Sequence, residues 1–176
     1  MAMRELPTEV RRAFDGHASF EPAPEPGLFR STTTPFDALV DAFADGETVV
    51  FELTIRVPML DEVTGERVAD VVEDGWYETF ELRVVDVGGV TKVERDASPS
   101  VRRSVDDGTR VAVVEATVED ENPRRGVDDA QAIIDFVEGT YLQGVIPGYD
   151  YEEPVVDLIS RAHATGGSEG ESLPPG

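Results

Sequence analysis

Nucleophilic and metal-site chemistry has few carriers in this chain. Cysteine is absent, and His17 and His163 are the only histidines. Structural zinc sites are built from cysteines and histidines, so none is expected. A Ser-His-Asp site would have to use one of these two imidazoles. Both sit where a helix should end, a position in which a histidine interacts well with the helix dipole, and both read as structural. Gly166-Gly167-Ser168-Glu169-Gly170 has the spelling of a nucleophile elbow, G-x-S-x-G. That motif works only as a strained strand-to-helix turn, and no strand precedes it here, so the match is fortuitous. There is no phosphate-binding P-loop and no G-x-G-x-x-G after a strand. Carboxylate pairs such as Asp61-Glu62 or Glu73-Asp74 say little in a chain with 37 acids, and Glu119-Asp120-Glu121-Asn122 lacks the Asp/Asn-Gly pattern of a calcium loop. No catalytic residue, metal or cofactor is assigned.

Candidate binding residues are aromatic. Gly144-Val145-Ile146-Pro147-Gly148-Tyr149-Asp150-Tyr151 combines two glycines, a proline and two tyrosines flanking an aspartate, with Tyr141 just before it. Together with Trp76 and Tyr77, the residues Tyr141, Tyr149, Asp150 and Tyr151 are the candidate site. Tyrosines can equally cap a core while keeping their hydroxyls wet. Three arginine pairs also stand out: Arg11-Arg12, Arg102-Arg103 and Arg124-Arg125. On one face they would form an anion patch; apart, they are surface ion pairs, the reading favoured here, and a nucleic-acid partner is not expected.

The elements that must position these residues follow from periodicity. Val10, Ala13 and Phe14 mark a short opening helix, and the proline-rich stretch 21–27 a stiff connector. Residues 28–34 and 48–57 read as strands. Residues 36–44 suit either a helix or a strand; the Asp45-Gly46 hairpin turn after them favours a strand. From 67 to 87 the apolar spacing becomes helical, with Gly75 as a break. Strands are expected at 90–95 and 109–118, then helices from Asp128 to about Val145 and from Pro154 to Ala164. The expected fold is α+β, an antiparallel sheet of about five strands with helices on one face, in the order α-β-β-β-α-β-β-α-α. This is the layout of small secretion-chaperone-like domains. One domain over 1–163 and a disordered polar tail over 164–176 are expected.

Charge sets the environment. The formal net charge is -22, and the acids are spread evenly: residues 1–88 carry 19 acids against 7 arginines, residues 89–176 carry 18 against 8 basic groups. Lys92 is the only lysine, beside 14 arginines. An acidic protein aimed at one partner has no reason to shed lysine, whereas a protein in molar salt does. Lysine's long alkyl stem is exposed apolar surface, which salting-out conditions penalise. No apolar run approaches the roughly 18 residues of a membrane span, and residues 1–7 lack an apolar signal region. A cytoplasmic protein of a halophile is the expectation.

Several stretches resemble an uncharacterised family of haloarchaeal proteins, a conserved domain of unknown function. They are Thr32-Thr33-Thr34-Pro35-Phe36-Asp37, Arg56-Val57-Pro58-Met59-Leu60-Asp61, the run from Val68 through Asp74-Gly75-Trp76-Tyr77 to Phe80, and Phe136-Val137-Glu138-Gly139-Thr140-Tyr141 through Gly148-Tyr149-Asp150-Tyr151. The resemblance implies a haloarchaeal cytoplasmic protein and supplies no activity. The 36–44 stretch looks more helical than that family's pattern. The functional expectation is a non-enzymatic interaction or chaperone-like module, with a protein partner or homodimerisation. The alternative is a small-molecule binder or enzyme with a tyrosine- and aspartate-lined pocket near 141–151.

Self-repulsion at this charge is screened at about 1 M salt, where the Debye length is roughly 3 Å. The melting temperature should therefore rise between about 0.1 and 3 M KCl. An unchanged thermal midpoint across that range, followed by circular dichroism, would refute the salt-adaptation reading.

Overall fold

The computed structural model describes residues 6–91 and 96–171. Its elements are α1 (Thr8–Asp15), β1 (Phe20–Pro22), β2 (Leu28–Ser31), β3 (Asp37–Asp45), β4 (Thr48–Pro58), α2 (Asp70–Val84), β5 (Ser100–Asp106), β6 (Thr109–Asp120), α3 (Pro123–Gln143) and α4 (Val155–Glu171). The strands form one antiparallel sheet in the order β1-β2-β3-β4-β6-β5. The fold is α+β, as the element order predicts.

The central strands show why the helices lie on one face. In β3 and β6 the inward positions are small or β-branched: Ala38, Val40 and Ala42, then Ala112, Val114, Ala116 and Val118. Between them β4 turns Phe51, Leu53, Ile55 and Val57 to the same side. The period-two alternation sends Asp41, Glu52, Thr54 and Glu115 to the other face. Onto this floor α3 lays Val127, Ala130, Ile133, Ile134, Val137 and Tyr141, all buried. One core cluster runs from Val10 in α1 to Leu158 in α4. Phe14 of α1 stacks on Phe29 at 3.8 Å and meets Phe20 edge-on at 5.2 Å, which fixes α1 over the β1–β2 end.

Two buried carboxylates fasten the connections. Glu73 of α2, with its side chain 4% exposed, accepts from Arg110 Nη1 at 2.7 Å and Nη2 at 3.1 Å, and from the backbone N–H of Asp61 at 2.8 Å. Asp120 accepts from Arg125 Nε and Nη2 at 2.7 and 2.8 Å and from the Asn122 N–H at 2.8 Å. Asn122 in turn caps α3 by accepting from the Arg125 N–H at 3.2 Å.

Several elements differ from the sequence reading. No strand forms at Val90: residues Val87–Val90 make a 3-10 turn, and 92–95 lie outside the described residues. The strand is β5 instead, between the stretches 90–95 and 109–118 expected to be strands. It is set by its pairing with β6 through the Asp107-Gly108 turn, whose φ angles of 49° and 81° fit the type I′ hairpin. A sixth strand, β1, occupies the start of the expected connector, with Pro22 tolerated on a sheet edge. Helix α3 starts five residues earlier than Asp128, because Asn122 and Pro123 supply a cap and a preset first turn. Helix α4 continues beyond Ala164 to Glu171, with no proline between Val155 and Glu171 to break it. Gly75 lies inside α2 without breaking it, and residues 36–44 form the strand favoured by the turn that follows.

Gly126 decides how closely α3 approaches the sheet. A Cβ at this position would overlap the Phe51 ring. Helix propensity alone favours Gly126→Ala by about 1 kcal/mol, while overpacking costs about 1–3 kcal/mol. The clash should win, and Gly126→Ala should lower stability in chemical denaturation. Pairing it with Phe51→Leu should recover part of the loss.

Candidate functional site

The six aromatic and acidic candidates divide among four places. Tyr141 is fully buried in the core; its hydroxyl donates to the Pro58 carbonyl at 3.0 Å and its ring packs on Phe36 and Trp76. Trp76 is also core, stacked on Phe80 at 5.8 Å. Its buried Nε1 has no acceptor among the described residues and faces Gly144, where an added Cβ would come within 3.2 Å. Tyr77 lies near the β5 edge under the Arg103 guanidinium, 4.3 Å above its ring. Burial first, and then the Glu81 charge, push its phenol up from the usual range.

Asp150 works mainly through its backbone. Its N–H donates to Glu66 Oε1 at 2.9 Å and its carbonyl accepts from the Gly65 N–H at 2.8 Å. With the Glu152 N–H donating to the Val63 carbonyl at 2.7 Å and a Thr64–Tyr151 bridge, the loop is sewn to residues 63–65.

Tyr149 and Tyr151 do come together. Their ring centroids lie 6.4 Å apart, edge to face. They wall a groove of about 490 Å³ between the end of α3 and α4, shared with Leu142, Val145, Ile159 and His163. The Tyr151 hydroxyl donates to the Ile146 carbonyl at 2.6 Å, and burial raises its pKa. His163 was read only as a helix-end residue, and Ile159 lies within the helix expected from Pro154 to Ala164. Their i, i+4 spacing on α4 was the available signal that they share a face.

A second, larger cleft of about 790 Å³ lies between α1 and the start of α3. It brings Arg12 beside Arg124 and Arg125, so two of the three arginine pairs contribute to one concavity, whereas Arg102 and Arg103 lie on β5. Glu9, Glu121 and Asp128 line the same cleft and balance its charge. His17 holds the wall together. Its Nδ1 accepts from the Ser19 N–H at 3.3 Å, so Nε2 carries the proton donated to Asp128 Oδ1 at 3.1 Å. With both ring nitrogens engaged, neither is placed to take a proton from a substrate.

Among the described residues no group of three His, Asp or Glu side chains could hold a metal ion. The residues 166–170 that spell G-x-S-x-G lie inside α4 and form no elbow.

Burial pushes the Tyr141 phenol well above its usual range. A tyrosine in the unfolded chain ionises near pH 10, while Tyr141 keeps its proton in the fold. The stability linked to it is thus complete below about pH 10 and falls as pH rises further, by about 1.4 kcal/mol per unit. Tyr141→Phe should flatten the alkaline limb of a stability-pH profile and, by leaving the Pro58 carbonyl unpaired, lower stability at neutral pH by about 1–3 kcal/mol.

No curated protein and no solved structure matches the chain. A family model does match, over residues 15–161, which includes every strand and most of the residues that line the α3–α4 groove. The chain belongs to the family of unknown function DUF5813.

Proposed function

We propose that this domain is a non-enzymatic protein-interaction module of a salt-adapted cytoplasm, and that the groove between α3 and α4 receives an apolar anchor from a partner protein. The observation that carries this reading is the groove's lining. Leucine, valine, isoleucine and two tyrosine rings face it, and the Tyr151 hydroxyl is already spent on the Ile146 carbonyl. Such a wall offers contact area and orientation rather than acid-base chemistry.

The setting suits an apolar anchor. At molar salt, ion pairs between exposed groups are screened while apolar burial is strengthened. The flanking residues Asp150, Glu152 and Glu153 are exposed, and the whole chain carries a net charge of -22. The complementary partner segment has one or two apolar side chains, and its flanks avoid like charge without having to supply the affinity. A tyrosine- and aspartate-lined small-molecule pocket has less support, because Tyr141 and Trp76 belong to the core and the backbone of Asp150 clamps a neighbouring loop.

A phage-displayed peptide library, selected on the wild-type domain at about 1 M KCl and counter-selected on Ile159→Glu, tests the reading. Enrichment of apolar cores, binding at least tenfold weaker to Ile159→Glu and Tyr149→Ala, is expected. Circular dichroism would establish that both variants remain folded. Enriched peptides without an apolar core, or no enrichment over the counter-selection, would overturn it.

A further inference from the structure

Among the described residues five large hydrophobic side chains are well exposed: Val71, Leu82, Val85, Val105 and Val156. Three belong to α2 or its C-cap and a fourth to β5. At about 100° per residue, Val71, Leu82 and Val85 fall within roughly 60° of one another around α2. They share this sector with the exposed Glu78 and lie on the flank that carries Asp74, away from the buried stripe of Glu73, Trp76, Phe80 and Val84. Asp74 reaches β5, where Arg103 Nη1 meets its carboxylate at 2.9 Å. The apolar stripe therefore runs along the side of α2 nearest the edge of the sheet.

That edge is open. β5 pairs with β6 and with no other strand. The two-residue turn after Asp106 closes a hydrogen-bonded Asp106–Thr109 pair, so alternate residues Val101, Arg103 and Val105 aim their backbone groups outward. Charged edge strands normally resist pairing. This one is self-complementary: about a twofold axis at Ser104, an antiparallel copy sets Arg102 opposite Asp106 twice, with Arg103 opposite Val105.

We propose that the β5 edge and the exposed stripe of α2 form the interface of a symmetric homodimer, a continuous sheet crossing the twofold axis at Ser104. The register supplies about four interstrand hydrogen bonds from the outward groups of Arg103 and Val105. It places the oppositely charged Arg102 and Asp106 as neighbours. The two α2 helices then flank the axis, and Val71, Leu82 and Val85 of the two protomers close over it. Each protomer brings a charge of -22, so the dimer tightens as salt screens their repulsion. This surface is separate from the α3–α4 groove and stands without it.

The absence of cysteine makes the test direct. Ser104→Cys should form an intermolecular disulfide under mild oxidation in about 2–3 M KCl, because its mate lies across the axis. Ser100→Cys, displaced along the strand, should not. Sedimentation of the unmodified protein should give a dimer at about 100 μM, and Leu82→Asp with Val105→Asp should give a folded monomer. A wild-type monomer at that concentration and salt overturns the proposal. So does cross-linking of Ser104→Cys no faster than that of Ser100→Cys, or a dimer that survives the double substitution.

Discussion

The carboxylate of Glu73 is the constraint on which the arrangement of the helical face turns. A buried carboxylate without partners costs several kcal/mol, so its position is dictated by the donors that reach it. Arg110 reaches it from β6 and the Asp61 N–H from the 3-10 turn Leu60–Val63. One charge thus locates α2 relative to the sheet and pulls the 3-10 turn beneath it, burying Met59, Leu60 and Val63. Asp61 extends the lock by accepting from the Val68 N–H at 2.7 Å. Residues 63–65, held by that turn, are the same ones that hold the 150–152 loop through backbone hydrogen bonds. The tyrosine-walled groove is therefore positioned through Glu73, although no atom of Glu73 lines it. A pair with one member 4% exposed is also screened far less by salt than a surface bridge.

The sheet and the long helices were legible because their apolar patterns are set by burial on one side. Strand β3 could be read two ways over 36–44, and the Asp45-Gly46 turn was the feature that decided it, since Gly46 takes a φ of 63° that the hairpin needs. Strand β5 was illegible for a physical reason. As an edge strand it exposes most of both faces, so Ser100-Val101-Arg102-Arg103-Ser104-Val105-Asp106 carries no apolar run. The turn signal was present in Asp107-Gly108, but it gains meaning only from the partner strand. The apolar spelling of 90–95 pointed to a strand nearer α2, whereas the Val87–Val90 turn spends Val87 on the core.

The candidate site was half legible. Tyr149 and Tyr151 were recognised from the oddity of their loop, and they do share a concavity. Tyr141 and Trp76 were grouped with them on type alone, yet their helical spacing already placed them on the apolar stripes of α3 and α2. An aromatic at the stripe of a long helix goes to the core, and its hydroxyl finds a backbone carbonyl, as that of Tyr141 does at Pro58. The arginine pairs show the opposite limit. Arg12 and Arg124 are more than a hundred residues apart, and only the docking of α1 against the start of α3 makes them neighbours.

Charge and exposed apolar surface then have to be weighed together. The acids are spread over the whole chain and line even the arginine cleft, so they carry little information about any one partner. Apolar exposure is the scarcer and costlier feature in a salting-out solvent. A chain that replaces nearly all its lysines, yet leaves Val71, Leu82, Val85 and Val105 in water, departs from its own rule at one edge. The α3–α4 groove departs from it at another. On the proposed salt-adapted reading, these two exceptions are where contact with other chains is most economically explained, since burying either removes surface a salting-out solvent penalises and leaves the acidic remainder hydrated.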